Sequence, residues 1–190
     1  LKAFPCHVTS HTSIESLRFL MQEYLFDASE VSKIAIEVSD QVLSHHIIRH
    51  PNDIKQAQYS LPFCVAWALY RNPYQPENMN PSILGDDSIA KMSQAITLTP
   101  FITPNKNNSA WSSLLRITLQ SGKVLERWSD EFTGVPNKPL TENGLKNRFF
   151  QLTGQGNERN KELWWESLNN IDQVGDLTLL PDLIYQPKGT

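Results

Sequence analysis

The residues best suited to chemistry lie close together at the start of the sequence. Lys2, His7 and His11 occur within ten residues of one another, and the first carboxylate along the chain is Glu15. Such a segment is cationic, and its side chains could bind an anion or move a proton near neutral pH. Three cations in a loop are a weak motif, so a terminal lysine and two ordinary loop histidines are the alternative interpretation.

A helix is predicted to begin directly after this segment. Thr12 and Glu15 have the spacing of a capping box, and apolar residues then recur at helical intervals. The N–H groups at a helix N-terminus favour a bound carboxylate or phosphate. We therefore assign substrate binding to His11 and Thr12.

Two other groups of residues are weaker candidates for chemistry. His46 and His50 stand four apart, as in a zinc pair on a helix, but no third ligand follows at a convincing spacing. Cys6 and His7 are adjacent in an extended segment, where neighbouring side chains point to opposite faces and do not readily share a proton. We predict no metal site and no thiol nucleophile.

Length and composition narrow the class of protein. A chain of 190 residues with 39% hydrophobic and 19% charged residues is typical of one globular domain. The net charge of −3, without a cluster of lysines and arginines, argues against binding to nucleic acid or to an acidic membrane. No apolar run approaches the roughly 20 residues that span a bilayer. Two distant cysteines, Cys6 and Cys64, indicate a reducing compartment, and we expect a cytoplasmic protein.

The elements that must position these residues are both strands and helices. Alternating apolar residues predict a strand around Ile34–Val38 and a hairpin over Leu115–Trp128, turning at Ser121-Gly122. The prolines of Thr97–Asn108 predict an irregular loop. Helices are predicted at about residues 12–25, 40–50, 53–70, 86–95, 141–152 and 158–172. We predict an α+β fold, with a small antiparallel sheet packed with helices.

Five stretches, in this order and spacing, resemble the MmgE/PrpD family, which includes 2-methylcitrate dehydratase, cis-aconitate decarboxylase and iminodisuccinate epimerase. They are Leu1–His7 with the later His11, Gln58–Ala66, Arg116–Lys123, Gly134–Leu140 and Arg148–Phe149. The resemblance extends over nearly the whole chain to about Gln151, and it corresponds to the C-terminal half of the family's proteins.

The resemblance implies a two-domain enzyme, in which the active site lies between a large helical domain and a smaller α+β lid. Residues 1–155 would form the lid, and residues 156–190 would be a helix and tail that could return to the helical domain. We expect this chain to be a piece of a longer protein. Without the helical N-terminal domain it should lack a complete active site. We further expect a homodimer that uses no metal or organic cofactor.

The resemblance also assigns roles to two residues of the first segment. Lys2 and His7 fall on the lysine and histidine of the family's K-x-x-P-x-H stretch, which are active-site residues. The family's substrates are di- or tricarboxylates, and elimination, decarboxylation and epimerisation all develop negative charge beside a carboxylate. Fixed cations lower such a barrier, and a histidine can move a proton. We therefore predict Lys2 as an anchor for a substrate carboxylate and His7 as an acid/base or oxyanion-side donor.

The leading functional prediction is a lyase of the hydro-lyase type, similar to the 2-methylcitrate dehydratase of propionate catabolism. The alternative is a non-catalytic domain that binds a small carboxylate or a partner chain. An uncovered apolar face around Leu163, Trp164 and residues 177–180 would favour that alternative. A metal-dependent enzyme that uses His45, His46 and His50 ranks last.

Overall fold

The computed structural model describes residues 1–102, 109–153, 158–173 and 175. The backbone divides into two compact units, Leu1–Pro139 and Leu140–Thr190. The predicted domain boundary after residue 155 and the predicted tail from residue 177 lie outside the described residues.

Helices and strands of the first unit do not alternate regularly along the chain. Its helices are α1 (His11–Tyr24), α2 (Asp40–His45), α3 (Ile54–Tyr59), α4 (Leu61–Tyr70) and α5 (Asp87–Ala95). Its strands are β1 (Val31–Val38), β2 (Thr97–Pro100), β3 (Ser113–Leu119) and β4 (Val124–Ser129). Helices packed with a single sheet confirm the predicted α+β class.

The sheet has the strand order β2-β1-β3-β4. Its β1–β3 and β3–β4 pairs are antiparallel, but β1 and β2 are parallel. The predicted small sheet is therefore present, and the parallel β1–β2 pair makes it mixed rather than antiparallel throughout. A parallel pair needs a long crossover connection, which the segment from α2 to α5 provides.

Strand β2 was missed because its prolines suggested a loop. Within the predicted loop Thr97–Asn108, Thr97 to Pro100 form this strand, whereas residues 103–108 lie outside the described residues. Pro100 stands at the end of an edge strand, where its lack of an N–H group is tolerated.

The hairpin of β3 and β4 confirms the predicted turn at Ser121-Gly122. Gly122 has a φ of +84°, a conformation that side chains other than glycine rarely adopt. Leu115, Ile117 and Leu119 alternate along β3 with less buried residues and face the core.

Helices α3 and α4 occupy the region predicted as one helix, and the chain breaks between them at Ser60. The Ser60 hydroxyl caps α4 by accepting a hydrogen bond from the backbone N–H of Phe63, at 3.1 Å. Pro62, whose sequence position predicts either a kink or a new start of the helix, lies in the first turn, where its missing N–H costs no helical bond, so a new helix starts here. Residues 61–69 of α4 are all buried, which makes this helix the centre of the core. Among the described helices, none has both the length and the apolar character needed to cross a bilayer.

The start of α1 differs from the predicted capping box. His7 caps a short 3-10 turn, Val8–Ser10, and the chain runs from that turn straight into α1 at His11. Thr12 and Glu15 therefore lie inside the helix, and both side chains bond to distant parts of the fold. The capping-box prediction was wrong because a 3-10 turn precedes the helix and supplies its own cap.

The second unit contains α6 (Glu142–Leu152) and α7 (Glu158–Asn169), as the sequence predicted. Thr141 caps α6 by accepting from the N–H of Gly144 at 3.1 Å. An ion pair of 2.7 Å between Lys146 and Glu162 joins the two helices.

Candidate functional site

The segment from Leu1 to His7 is held to the first unit by its backbone and by one large side chain. The amino group of Leu1 donates to the carbonyl of Gly134 at 2.9 Å, and the N–H of His7 donates to the carbonyl of Gln58 at 2.8 Å. Between these two anchors, Phe4 is fully buried in the core. Two backbone hydrogen bonds and one buried side chain therefore position the segment on either side of Lys2.

His7 uses one ring nitrogen as a structural acceptor. Its Nδ1 accepts from the backbone N–H of Thr9 at 3.5 Å and lies 3.0 Å from the Thr9 hydroxyl. A nitrogen that accepts carries no proton, so the neutral ring has its proton on Nε2. His7 is half-buried, and its Nε2–H makes no hydrogen bond within the described residues and is not one of their enclosed polar atoms.

A second imidazole, His46, stacks on His7. The ring centroids are 4.4 Å apart and the ring planes differ by 25°. Tyr59 packs against the same ring, with its centroid 4.9 Å from that of His7. The sequence analysis had paired His46 with His50 and had given Tyr59 no role.

The surroundings of His7 lower its pKa below the ordinary value of 6.5. Partial burial is the largest cause, followed by the like charges that His46 and Lys2 carry when protonated. At neutral pH the His7 imidazole is therefore uncharged, and it offers an N–H donor rather than a cation.

Lys2 remains exposed beside this aromatic stack. Its ammonium lies close enough to affect the pKa of both His7 and His11. The pairing of Lys2 with His7 in one site stays a prediction. Because the Lys2 side chain is exposed, its ammonium group is accessible to an anion.

His11 lies on the other side of the same segment and is fully enclosed, with 0% of its surface exposed. Its ring contacts Phe4 and Phe132, at centroid distances of 5.1 and 4.8 Å. Within the described structure, neither ring nitrogen makes a hydrogen bond of ordinary geometry. Burial lowers the pKa of His11 to about 4, an effect that the nearby backbone of Cys6 and Phe4 offsets only in part.

Thr12 is also fully buried, and its hydroxyl is already used. The Oγ1 atom donates to the carbonyl of Trp111 at 2.5 Å and accepts from the Ser113 hydroxyl at 3.0 Å. The structure thus does not bring His11 and Thr12 to the surface that carries Lys2 and His7. Their assignment to substrate binding stays a prediction, and the packing favours a structural role for both.

The two cysteines are buried free thiols that interact with each other. The Cys64 thiol hydrogen-bonds that of Cys6, and together with burial it raises the pKa of Cys6 well above the ordinary range. A thiol that resists deprotonation is a poor nucleophile. This environment agrees with the prediction that Cys6 is not a catalytic thiol.

The proposed histidine pair of a zinc site is not formed. Helix α2 ends at His45, so His46 caps the helix and His50 lies beyond it, and the two no longer share a helical face. In the part of the chain that the structure describes, no group of three or more His, Cys, Asp or Glu residues could hold a metal.

A separate cavity of about 350 Å³ lies elsewhere in the first unit. It is lined by Ser109, Trp111, Asp130, Glu131, Val135, Pro136 and Asn137. None of the four predicted site residues lines it, and its two carboxylates would repel an anionic substrate.

Comparison with known families adds independent support for the resemblance. No curated protein matches the chain. Residues 4–170 match the MmgE/PrpD C-terminal domain, a range that includes His7, His46 and Tyr59 and begins two residues after Lys2. Because the match covers most of the chain, the protein belongs to the MmgE/PrpD family and represents its C-terminal domain.

Proposed function

We propose that this chain is the C-terminal part of a lyase that acts on a small di- or tricarboxylate by cofactor-free proton transfer. The observation that carries the proposal is the half-buried His7, which keeps Nε2–H available and whose pKa is affected by the charge of the exposed Lys2, in a domain of this family. A helical domain supplied by another part of the protein would complete the site.

Lys2 and His7 suit two different parts of such a reaction. The Lys2 ammonium pairs with a substrate carboxylate, since a mobile point charge binds an anion without a fixed geometry. His7 directs a neutral N–H donor at the negative charge that develops beside that carboxylate. A donor held by surrounding structure stabilises developing charge without having to reorganise.

The particular reaction we favour is dehydration of the 2-methylcitrate type, in a cytoplasmic homodimer. This choice rests on the resemblance, since dehydration, decarboxylation and epimerisation place the same demand on Lys2 and His7. We therefore test several carboxylates rather than one.

The test is a proton NMR assay of turnover with methylcitrate and cis-aconitate. The 190-residue chain is assayed alone and then mixed with the helical half of an MmgE/PrpD relative. We expect turnover in the mixture and none from the chain alone. Lys2→Met and His7→Asn should each lower the rate at least about 100-fold, the usual scale for an electrostatic or acid/base group.

Lys33→Met is the matched control, because Lys33 is an exposed lysine on β1 and not on the Lys2 segment. Its rate should equal that of the unaltered chain. Full activity in both the Lys2 and the His7 variants would refute the proposed roles, and turnover by the chain alone would refute the need for a second domain.

A second candidate function is binding without catalysis. The helices of the second unit expose several apolar side chains, which a partner surface could cover: Leu145, Leu152, Leu163 and Leu168. Residues 177–180, which the sequence analysis placed on the same face, lie outside the described residues. Carboxylate binding without turnover in any mixture would favour this candidate.

A further inference from the structure

We propose that His46 is a second catalytic residue of this site, which accepts a proton from the substrate through Nε2 while His7 donates a hydrogen bond. The inference rests on the proposed function, because it assigns the proton acceptor that a cofactor-free lyase requires. It starts from the imidazole stack of His7 and His46, whose centroids are 4.4 Å apart.

The backbone of His46 is fixed on both sides. Its N–H donates to the carbonyl of Val42 at 2.9 Å, and its carbonyl accepts from the N–H of Leu61 at 2.9 Å. The residue therefore joins the end of α2 to the start of α4, and its position does not depend on a mobile loop.

One hydrogen bond determines which nitrogen of His46 carries the proton. Nδ1 lies 2.8 Å from the backbone carbonyl of Tyr59. A carbonyl oxygen can only accept, so Nδ1 bears the proton and Nε2 of the neutral ring carries the lone pair. The same bond holds the ring in one orientation.

The two stacked rings consequently differ in the nitrogen they leave available: one is a hydrogen-bond donor and the other an acceptor. His7 accepts at Nδ1 from Thr9 and presents Nε2–H, whereas His46 donates at Nδ1 to Tyr59 and presents a bare Nε2. One ring is thus a donor and the other a potential base, side by side. Spacing within a single helix would not produce this pairing.

The Nε2 atom of His46 is accessible although the residue as a whole is only 6% exposed. It makes no hydrogen bond within the described residues, yet it is not one of the enclosed polar atoms that lack a partner. This nitrogen therefore reaches the surface of the chain, on a ring that touches His7. One small carboxylate could contact both rings.

The proton transfer balances with these groups alone. In a dehydration, the C–H bond beside the carboxylate breaks, its proton moves to Nε2 of His46, and the electron pair stays on the substrate. Lys2 and His7 stabilise that negative charge, and the Tyr59 carbonyl stabilises the new imidazolium through Nδ1–H. The C–O bond then breaks, the C=C bond forms, and the departing hydroxide takes the proton from His46 and leaves as water.

The first experiment reads the protonated nitrogens directly, on the unaltered 190-residue chain, by ¹⁵N NMR of the histidine rings near neutral pH. We expect the proton of His46 on Nδ1 and that of His7 on Nε2. A proton on Nε2 of His46, or the same tautomer in both rings, would overturn the inference. This measurement needs no substrate, no variant and no second domain.

The second experiment uses the mixture with the helical half of a relative. His46→Phe keeps an aromatic ring against His7 but cannot accept a proton, and we expect kcat to fall at least about 100-fold with little change in KM. Exchange of the substrate C–H with deuterated solvent should be lost to the same extent. His45→Asn, an exposed neighbour in the same helix end, is the control and should keep full activity.

The outcomes separate the two proposals. An active mixture in which His46→Phe retains both turnover and exchange would overturn the role of His46 and leave the proposed function standing. A mixture that turns over no carboxylate would overturn the proposed function, and the catalytic role of His46 with it. A variant that retains exchange but loses turnover would also contradict the inference, because the proton acceptor would then lie elsewhere.

Discussion

His7 and His11 lie four residues apart on the same short segment, yet they occupy opposite kinds of environment. His7 is half-buried and stacks on His46, and it keeps a ring nitrogen directed outward. His11 is enclosed between Phe4 and Phe132 and makes no hydrogen bond of ordinary geometry within the described structure. The pKa of both is lowered, but that of His11 falls to about 4.

The difference shows that position along the segment does not decide whether a histidine can act. His7 lies five residues and His11 nine residues after Lys2, and both are cationic candidates by residue type. What separates them is the side chains that cover them, and apart from Phe4 these come from remote parts of the chain. A ring covered by phenylalanines stays uncharged well below neutral pH, whereas a ring covered on one side can still meet a substrate.

The largest expected effect is the contribution of the buried His11 to the pH dependence of the unfolding free energy. A fall of the His11 pKa from 6.5 to about 4 corresponds to roughly 3.5 kcal/mol, at about 1.4 kcal/mol per pH unit. Between pH 6.5 and pH 4, His11 is protonated in the unfolded chain but stays neutral in the folded chain. This share of the unfolding free energy is therefore fully present above pH 6.5 and is lost as the pH falls towards 4.

The measurement is denaturant unfolding of the unaltered chain and of His11→Leu across this pH range. The variant has no imidazole to titrate, so its unfolding free energy should fall less steeply between pH 6.5 and pH 4. His45→Leu is the control, because His45 is exposed. Equal slopes for the unaltered chain and His11→Leu would show that the folded state accommodates a charged ring at this position.

The next prediction tests whether the contact between Gly134 and Leu1 anchors the segment that carries Lys2 and His7. Gly134 has a φ of +111°, and a Cβ placed there would lie 2.3 Å from the carbonyl oxygen of Leu1. Gly134→Ala should cost about 2 kcal/mol and displace the segment that carries Lys2. Gly122→Ala is the matched control, since Gly122 also has a positive φ but an added Cβ would meet nothing within 4 Å.

Denaturant unfolding measures the cost, and the ¹H–¹⁵N spectrum reports the displacement. We expect shifts at Lys2 and Ala3 in Gly134→Ala and unchanged signals there in Gly122→Ala. If both substitutions lower the unfolding free energy equally and leave those signals in place, the contact between Gly134 and Leu1 does not hold the segment that carries Lys2 and His7.

Local signals in the sequence were sufficient for much of the fold. The alternation in β1 and the turn at Ser121-Gly122 specify their elements through neighbouring residues, and Pro62 marks where α4 begins. Strand β2 could not be found in this way, because its strand partner, β1, lies on the far side of four helices in the sequence. A short edge strand that ends in proline has no periodic pattern of its own.

The site was predictable in part for the same reason. Lys2 and His7 stand out by residue type and by resemblance, and the charge of Lys2 affects the pKa of His7, but their joint role stays a prediction. The contact of His7 with His46 depends on the path of the chain through α1, β1 and α2, over 38 intervening residues, and no local spacing predicts it. The burial of His11 depends on Phe132, a residue that the hairpin brings back to α1.

A smaller effect concerns the bonds that join helix α1 to the loop that carries Gly134. Glu15 lies one turn after His11 in α1, and its carboxylate accepts from the N–H of Thr133 at 2.6 Å and from Nζ of Lys138 at 2.7 Å. These bonds hold the loop that carries Gly134. Glu15→Gln preserves the geometry but removes the charge, and it should lower the unfolding free energy by about 1 kcal/mol or less, since Lys138 is largely exposed.

A double-mutant cycle with Lys138→Met isolates the ion pair from the bond to Thr133. The coupling energy should be small and should decrease at high salt, because the lysine end is screened. A coupling well above 1 kcal/mol that is insensitive to salt would mean that the loop is held mainly by this pair and not by its backbone bonds.

The smallest effect concerns His7, whose partial exposure lets solvent screen the charges of its neighbours. The pKa of His7 should lie below 6.5 but above that of His11, and His46→Phe should raise it by removing a like charge while keeping an aromatic ring in the stack. Lys2→Met should raise it less, because Lys2 is the weaker of the two charges acting on the ring. An NMR titration of the ring protons follows His7, His11 and His45 together, and His45 should respond to neither substitution. If the order of the two increases were reversed, the lysine and not the stacked imidazole would control the charge on His7, and the contrast with His11 would then be one of electrostatics rather than of packing.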